Sequence, residues 1–200
     1  MIRRPRGDVG FSLIETVTGM FVMGVFMAIF SAAMITIYGS SNRSEAVAQT
    51  QQQLDTAFTR LDGELRYASY ISTPGQDAQD GDWYVEFQNA AVVPSVCTQL
   101  RIDKTAQQLQ QRTWTGTGPA GAWQPLAVDV VNGAAAPGAN QPFTLTAASS
   151  LVQLTQLTVN LLAAQGGGSD QRSSQSTVTF TALNTSTKAP KTIPCTGMRP

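Results

Sequence analysis

From Val17 to Ile37 the chain carries no charged residue, and this run constrains the fold more than any other feature. Its length suits one membrane-crossing helix of about 20 residues. Just before the run stands a carboxylate, Glu15, in "GFSLIETVTGMFVMG". A charge inside a spanning helix costs ~2.5–3.5 kcal/mol on insertion scales, so the position calls for a compensating partner.

The chain of 200 residues has room for one domain of ordinary size and an appendage. Its 13 basic and 13 acidic residues balance, so no global field points to nucleic acid, and no nucleic-acid partner is expected. Histidine is absent, which removes the commonest general base and the commonest metal ligand together. Arg3, Arg4 and Arg6 precede the apolar run. Positive-inside bias therefore places the N-terminus in the cytoplasm and everything after Tyr38 outside, in a single-pass arrangement.

Four zones follow from the pattern. Residues 1–10 are short, basic and polar, and residues 11–38 are apolar apart from Glu15 and scattered Ser and Thr. Residues 39–72 are amphipathic: Leu54, Phe58, Leu61, Leu65 and Ala68 recur at spacings of three and four, one face of a helix. No proline falls between Pro5 and Pro74, so the pattern predicts one continuous rod from Phe11 to Ile71, about 90 Å long at helical rise. "TPGQDAQDGD" (73–82) ends it. In residues 73–200 the period changes to two, with alternating segments at 83–88, 97–102, 107–114, 151–162 and 176–183. The gaps 116–125, 132–142 and 164–175, rich in Gly, Ala, Ser and Pro, read as surface loops. The fold expected is α+β: a long N-terminal helix carrying a small antiparallel β-sheet head, a lollipop.

Chemistry has little to stand on. There is no P-loop, no Cys-x-x-Cys and no serine–histidine pair, so neither an enzyme nor a cofactor is expected. Asp77, Asp80 and Asp82 offer clustered carboxylate oxygens on a turn, as calcium requires. Their spacing does not fit an EF-hand, and a solvated turn is the simpler reading. Trp83, Trp114 and Trp123 read as core or hairpin packing in preference to a stacking platform. Cys97 and Cys195 both follow the apolar run. An even count in an oxidising compartment points to a disulfide between them, the other reading being two buried thiols.

Basic residues, then Gly10, Phe11, "SLIE" and an unbroken apolar stretch resemble the prepilin signature of type IV pilins and type II secretion pseudopilins. The resemblance implies cleavage between Gly10 and Phe11 by a membrane peptidase, which then N-methylates Phe11. Glu15 becomes the fifth residue of the mature chain, and the apolar helix is retained. "LDTAFTRLDGELRYASYI" (54–71) and "TQLRIDKTAQQLQQRTW" (98–114) further resemble J-type minor pseudopilins and PilW-like minor pilins. The partners implied are other pilins or pseudopilins, the prepilin peptidase/methyltransferase and an assembly-platform membrane protein. The implied location is the inner or cell membrane and then a pilus or pseudopilus. Many pilins carry a proline in the membrane half of this helix, and here there is none.

Two other classes compete. A signal-anchored extracytoplasmic domain that binds a surface or wall ligand fits the layout, as does a cleaved secretory signal ending near "SAA" (31–33). A membrane-tethered hydrolase is disfavoured by the missing histidine. Neither of the signal readings accounts for Glu15.

Overall fold

The computed structural model describes residues 12–89, 93–116, 118–138, 140–165, 172–185 and 195. The chain forms two compact units, residues 1–45 and 46–200. Helix α1, Leu13–Leu65, contributes to both. In the first unit the described residues are all helical after Ser12, whose carbonyl accepts hydrogen bonds from the Glu15 and Thr16 amides at 3.0 and 3.1 Å. Its large apolar side chains, from Leu13 to Tyr38, are exposed. The Thr18 and Thr36 hydroxyls donate to the carbonyls of Ile14 and Ala32 at 2.6 and 3.0 Å, which satisfies them without water. By length and composition this segment is apolar enough to cross a membrane.

The second unit is antiparallel β-structure packed on the C-terminal part of α1. The strands are β1 (Ala68–Ile71), β2 (Gly75–Gln76), β3 (Trp83–Asn89), β4 (Val96–Asp103), β5 (Gln108–Thr115) and β6 (Gln124–Ala127), then β7 (Phe143–Thr146), β8 (Gln156–Gln165) and β9 (Arg172–Thr181). One sheet runs β1-β3-β4-β5-β6, with β2 also paired to β3; a second runs β7-β8-β9. An α+β layout of one long N-terminal helix and antiparallel sheets is thus present, but with two sheets where the alternation suggested one.

Several boundaries differ from the pattern, each for a tertiary reason. The helix stops at Leu65, and Ala68–Ile71, expected as its last turn, is strand β1. Ala68 and Ile71 are buried either way, and pairing with β3 decides between the two periods. Gln124–Ala127 and Phe143–Thr146 are strands too short to register as alternation. The segment 151–162 enters the sheet only at Gln156, and Leu151 is 92% exposed. Conversely β8 and β9 extend into the gap 164–175, whose residues 166–171 lie outside the described ones.

One core holds the unit together. Leu54, Phe58, Leu61 and Leu65 pack against Val85, Phe87 and Leu100 of the first sheet and Leu157, Val159 and Leu161 of the second. Phe58 and Phe180 lie with ring centroids 6.3 Å apart. Gln111 donates from Nε2 to Glu64 Oε2 at 2.7 Å, fastening the last turn of α1 to β5. Between the sheets a short 3-10 turn, Asn132–Ala134, acts as a knot. The buried Asn132 amide donates to Asn140 O and Asn160 O at 3.0 and 2.8 Å and accepts from Leu162 N at 3.1 Å. Gly133 beside it approaches β4 so closely that a Cβ would stand 2.8 Å from Ile102 Cγ2.

Candidate functional site

Two places concentrate polar chemistry in an unusual setting: the start of α1, and the face of the first sheet that turns away from the core. Glu15 lies in the first turn of α1, exposed, where a negative charge complements the positive end of the helix dipole. It heads a shallow furrow along the helix flank that also involves Thr18, Gly19, Val22 and Phe26. Gly19 deepens the furrow by withholding a side chain. Gly10 and Phe11 lie outside the described residues.

On the sheet, strand alternation sends Tyr84 and Glu86, Gln99 and Arg101, and Gln110 and Arg112 to the face opposite the core, in two cross-strand rows. The chain beyond β5 folds back across this face and brings Trp123 against two guanidinium groups. Arg101 Cζ lies 4.3 Å and Arg112 Cζ 4.2 Å from the indole ring. Beneath it a hydrogen-bonded chain runs inward. Arg112 Nε donates to Gln99 Oε1 at 2.7 Å, Gln99 Nε2 to Glu86 Oε1 at 2.7 Å, and Ser72 Oγ to Glu86 Oε2 at 2.6 Å. Glu86 and Gln99 are 4% and 0% exposed. Burial pulls the Arg112 pKa below its ordinary value. Tyr84, fully buried, donates its hydroxyl to Asp80 at 2.6 Å; desolvation, then that bond, pushes its pKa up to about 12.

The aspartate turn is closed by its own side chains. Asp77 Oδ1 accepts from Gln79 N, and Asp80 Oδ1 from Asp82 N, as turn-closing side chains do. Asp82 accepts from Lys104 N at 3.0 Å. Burial raises the Asp82 pKa, against the pull of that amide, and nearby Asp80 and Asp103 raise it further. The cation in the cluster is Arg101, 3.8 Å from Asp82 and 3.2 Å from Asp103. Among the described residues no group of acids, cysteines or histidines is placed to hold a metal. Protein donors thus reach Oδ1 of Asp77, both oxygens of Asp80 and Oδ1 of Asp82.

Cys97 and Cys195 are joined by a disulfide, and Trp114 packs against it. Trp83 sits in the core with its Nε1 donating to Ala135 O at 2.9 Å. Sequence reasoning missed the Glu86–Gln99–Arg112 chain and the double contact at Trp123. The one available signal was charge at polar strand positions, which alternation alone assigns to solvent. No family model, no curated protein and no solved structure matches this chain.

Proposed function

We propose that this chain is a minor member of the type IV pilin and type II secretion pseudopilin family, and that its work is assembly and not catalysis. One observation carries the reading: Glu15 follows a basic leader ending in Gly10, with Phe11 next, and opens a helix with no further charge before Arg43. The uncovered side chains from Leu13 to Tyr38 support it, because they need lipid or other subunits to shield them. Cleavage between Gly10 and Phe11 frees an amine four residues from Glu15, one helical turn away. The N-methylated Phe11 amine and Glu15 then form an ion pair within the chain or with the next subunit. A buried pair of this kind contributes register more than stability, because desolvation offsets most of its attraction.

In this account the peptidase/methyltransferase acts first, with the apolar helix in the inner or cell membrane. An assembly-platform protein then moves the chain into a pilus or pseudopilus beside other pilins. The β-unit faces outward and helps initiate or cap the filament. Glu15→Leu tests the pairing, since losing a charge eases insertion but strands the amine of a neighbour. The variant is expected at normal membrane abundance, processed, yet poorly recovered with partner pilins. Glu15→Gln should fall between it and the parent. Recovery of Glu15→Leu at the parental level overturns the pairing.

A further inference from the structure

Strand β9 is the outer edge of the second sheet, ten residues long, and pairs with β8 in ten consecutive registers without a bulge. Natural edges are guarded by shortness, proline, bulges or charge, because an open row of backbone groups recruits another strand. The first sheet obeys that rule. Its edges β1 and β6 are four residues each, both show register shifts, and β6 carries Pro125. Past Arg172 at its start, β9 has none of these guards, and no charged residue occurs between Ser173 and Thr187. The whole second sheet holds a single charged residue, Arg172, at the start of β9.

The opposite edge, β7, lies against β3, so β9 is the side that faces away from the first sheet. Among the described residues its only strand partner is β8. Leu183, Thr185 and Cys195, described beyond β9, are bonded elsewhere than to its edge. Leu183 N donates to Arg66 O, Thr185 Oγ1 accepts from Thr155 N beside the start of β8, and Cys195 is bonded to Cys97 in the first sheet.

We propose that β9 pairs antiparallel with β9 of a second copy of this chain, across a two-fold axis, to join the two three-stranded sheets. The exposed ladder identifies the occupant. Thr158 and Thr179 share a hydrogen bond at 2.9 Å, and Asn160 Oδ1 accepts from Gln175 Nε2 and Thr177 Oγ1 at 2.8 and 3.1 Å. Neutral Thr, Asn and Gln side chains thus pair across strands on this face, and a second copy of β9 presents the same neutral donors and acceptors at the seam. Antiparallel self-pairing of a neutral strand sets no like charges opposite each other, and a two-fold contact closes without propagating. The inference stands whether or not the N-terminus is processed.

Sedimentation equilibrium of the full chain in nonionic detergent, over a concentration series, is expected to show a monomer–dimer equilibrium. Thr177 is exposed, so Thr177→Lys keeps the fold, as tryptophan emission checks, but sets like charges near the axis. It should weaken dimerisation at least ~10-fold, and an equimolar mixture of Thr177→Lys and Thr177→Glu should restore it. Independently, one of Gln175→Cys, Thr177→Cys and Thr179→Cys should form an intermolecular disulfide on mild oxidation, while Thr144→Cys on β7 should not. A monomeric parent overturns the proposal. So does a dimer indifferent to Thr177→Lys, which marks association through α1 or another surface, and so does the absence of cross-linking along β9.

Discussion

Replacing Arg112 with methionine probes the buried chain beneath Trp123. The substitution keeps most of the apolar stem but removes the Nε donor to Gln99 Oε1 and a guanidinium face from Trp123. Gln99 is fully buried and Glu86 nearly so, so water does not replace the lost donor. Stranding a buried acceptor costs ~1–3 kcal/mol and more where the lost donor is charged, and the lost contact with Trp123 adds to it, for an expectation of ~2–4 kcal/mol. Glu86→Gln alone should cost less, since an amide oxygen still accepts from Ser72 or Gln99. In the double variant the charge that Arg112 balanced is gone, so the two losses should fall short of their sum by ~1–3 kcal/mol. All three tryptophans lie between residues 83 and 123, so their emission reports the β-unit alone. Urea unfolding of the full chain in detergent should show the Arg112→Met midpoint lowered by roughly 1–2 M, for a slope near 2 kcal/mol/M. A loss under ~1 kcal/mol that is additive with Glu86→Gln would refute the reasoning, because the chain would then carry no energy.

Gly133→Ala should destabilise the β-unit by ~1–3 kcal/mol in the same assay, because its Cβ meets Ile102 Cγ2 at 2.8 Å and the Lys104 backbone at 3.0 Å. Parental stability would mean that the knot between the sheets is looser than the structure has it. Tyr84 should ionise near pH 12 in a tyrosinate absorbance titration. Its folded pKa lies above the unfolded value near 10, so its contribution is complete below pH ~10 and is lost as pH rises through 12. Four tyrosines titrating together near pH ~10 in the native chain would contradict its burial.

What the sequence made legible was whatever depended on local period. β3, β4 and β5 lie within two residues of the alternating segments, because each is long enough for a period of two to be seen. The helical face Leu54–Leu65 was equally plain. The helix end was not: Ala68 and Ile71 fit a helix stripe and a strand alike, and only pairing with β3 distinguishes them. Nor was the division into two sheets, which rests on Asn132 joining a turn to β8 from thirty residues away. Trp123 lies in a Gly- and Pro-rich stretch with no period, and its contact with Arg101 and Arg112 exists only after the chain folds back. At the candidate site Glu15 was evident because a charge beside an apolar run is costly anywhere. At the turn aspartates the sequence left two readings open, because clustered carboxylates look alike whether metal or backbone amides hold them.

The central claim is that residues 1–10 are removed and the apolar helix is kept. Intact-mass analysis of the chain extracted from the membranes of a host with a prepilin peptidase tests it directly. The account predicts a single species beginning at Phe11 and carrying one added methyl group, and an unprocessed precursor for Gly10→Leu. A parental chain that retains residues 1–10, or one cut beyond the apolar run near Ala33, would contradict it.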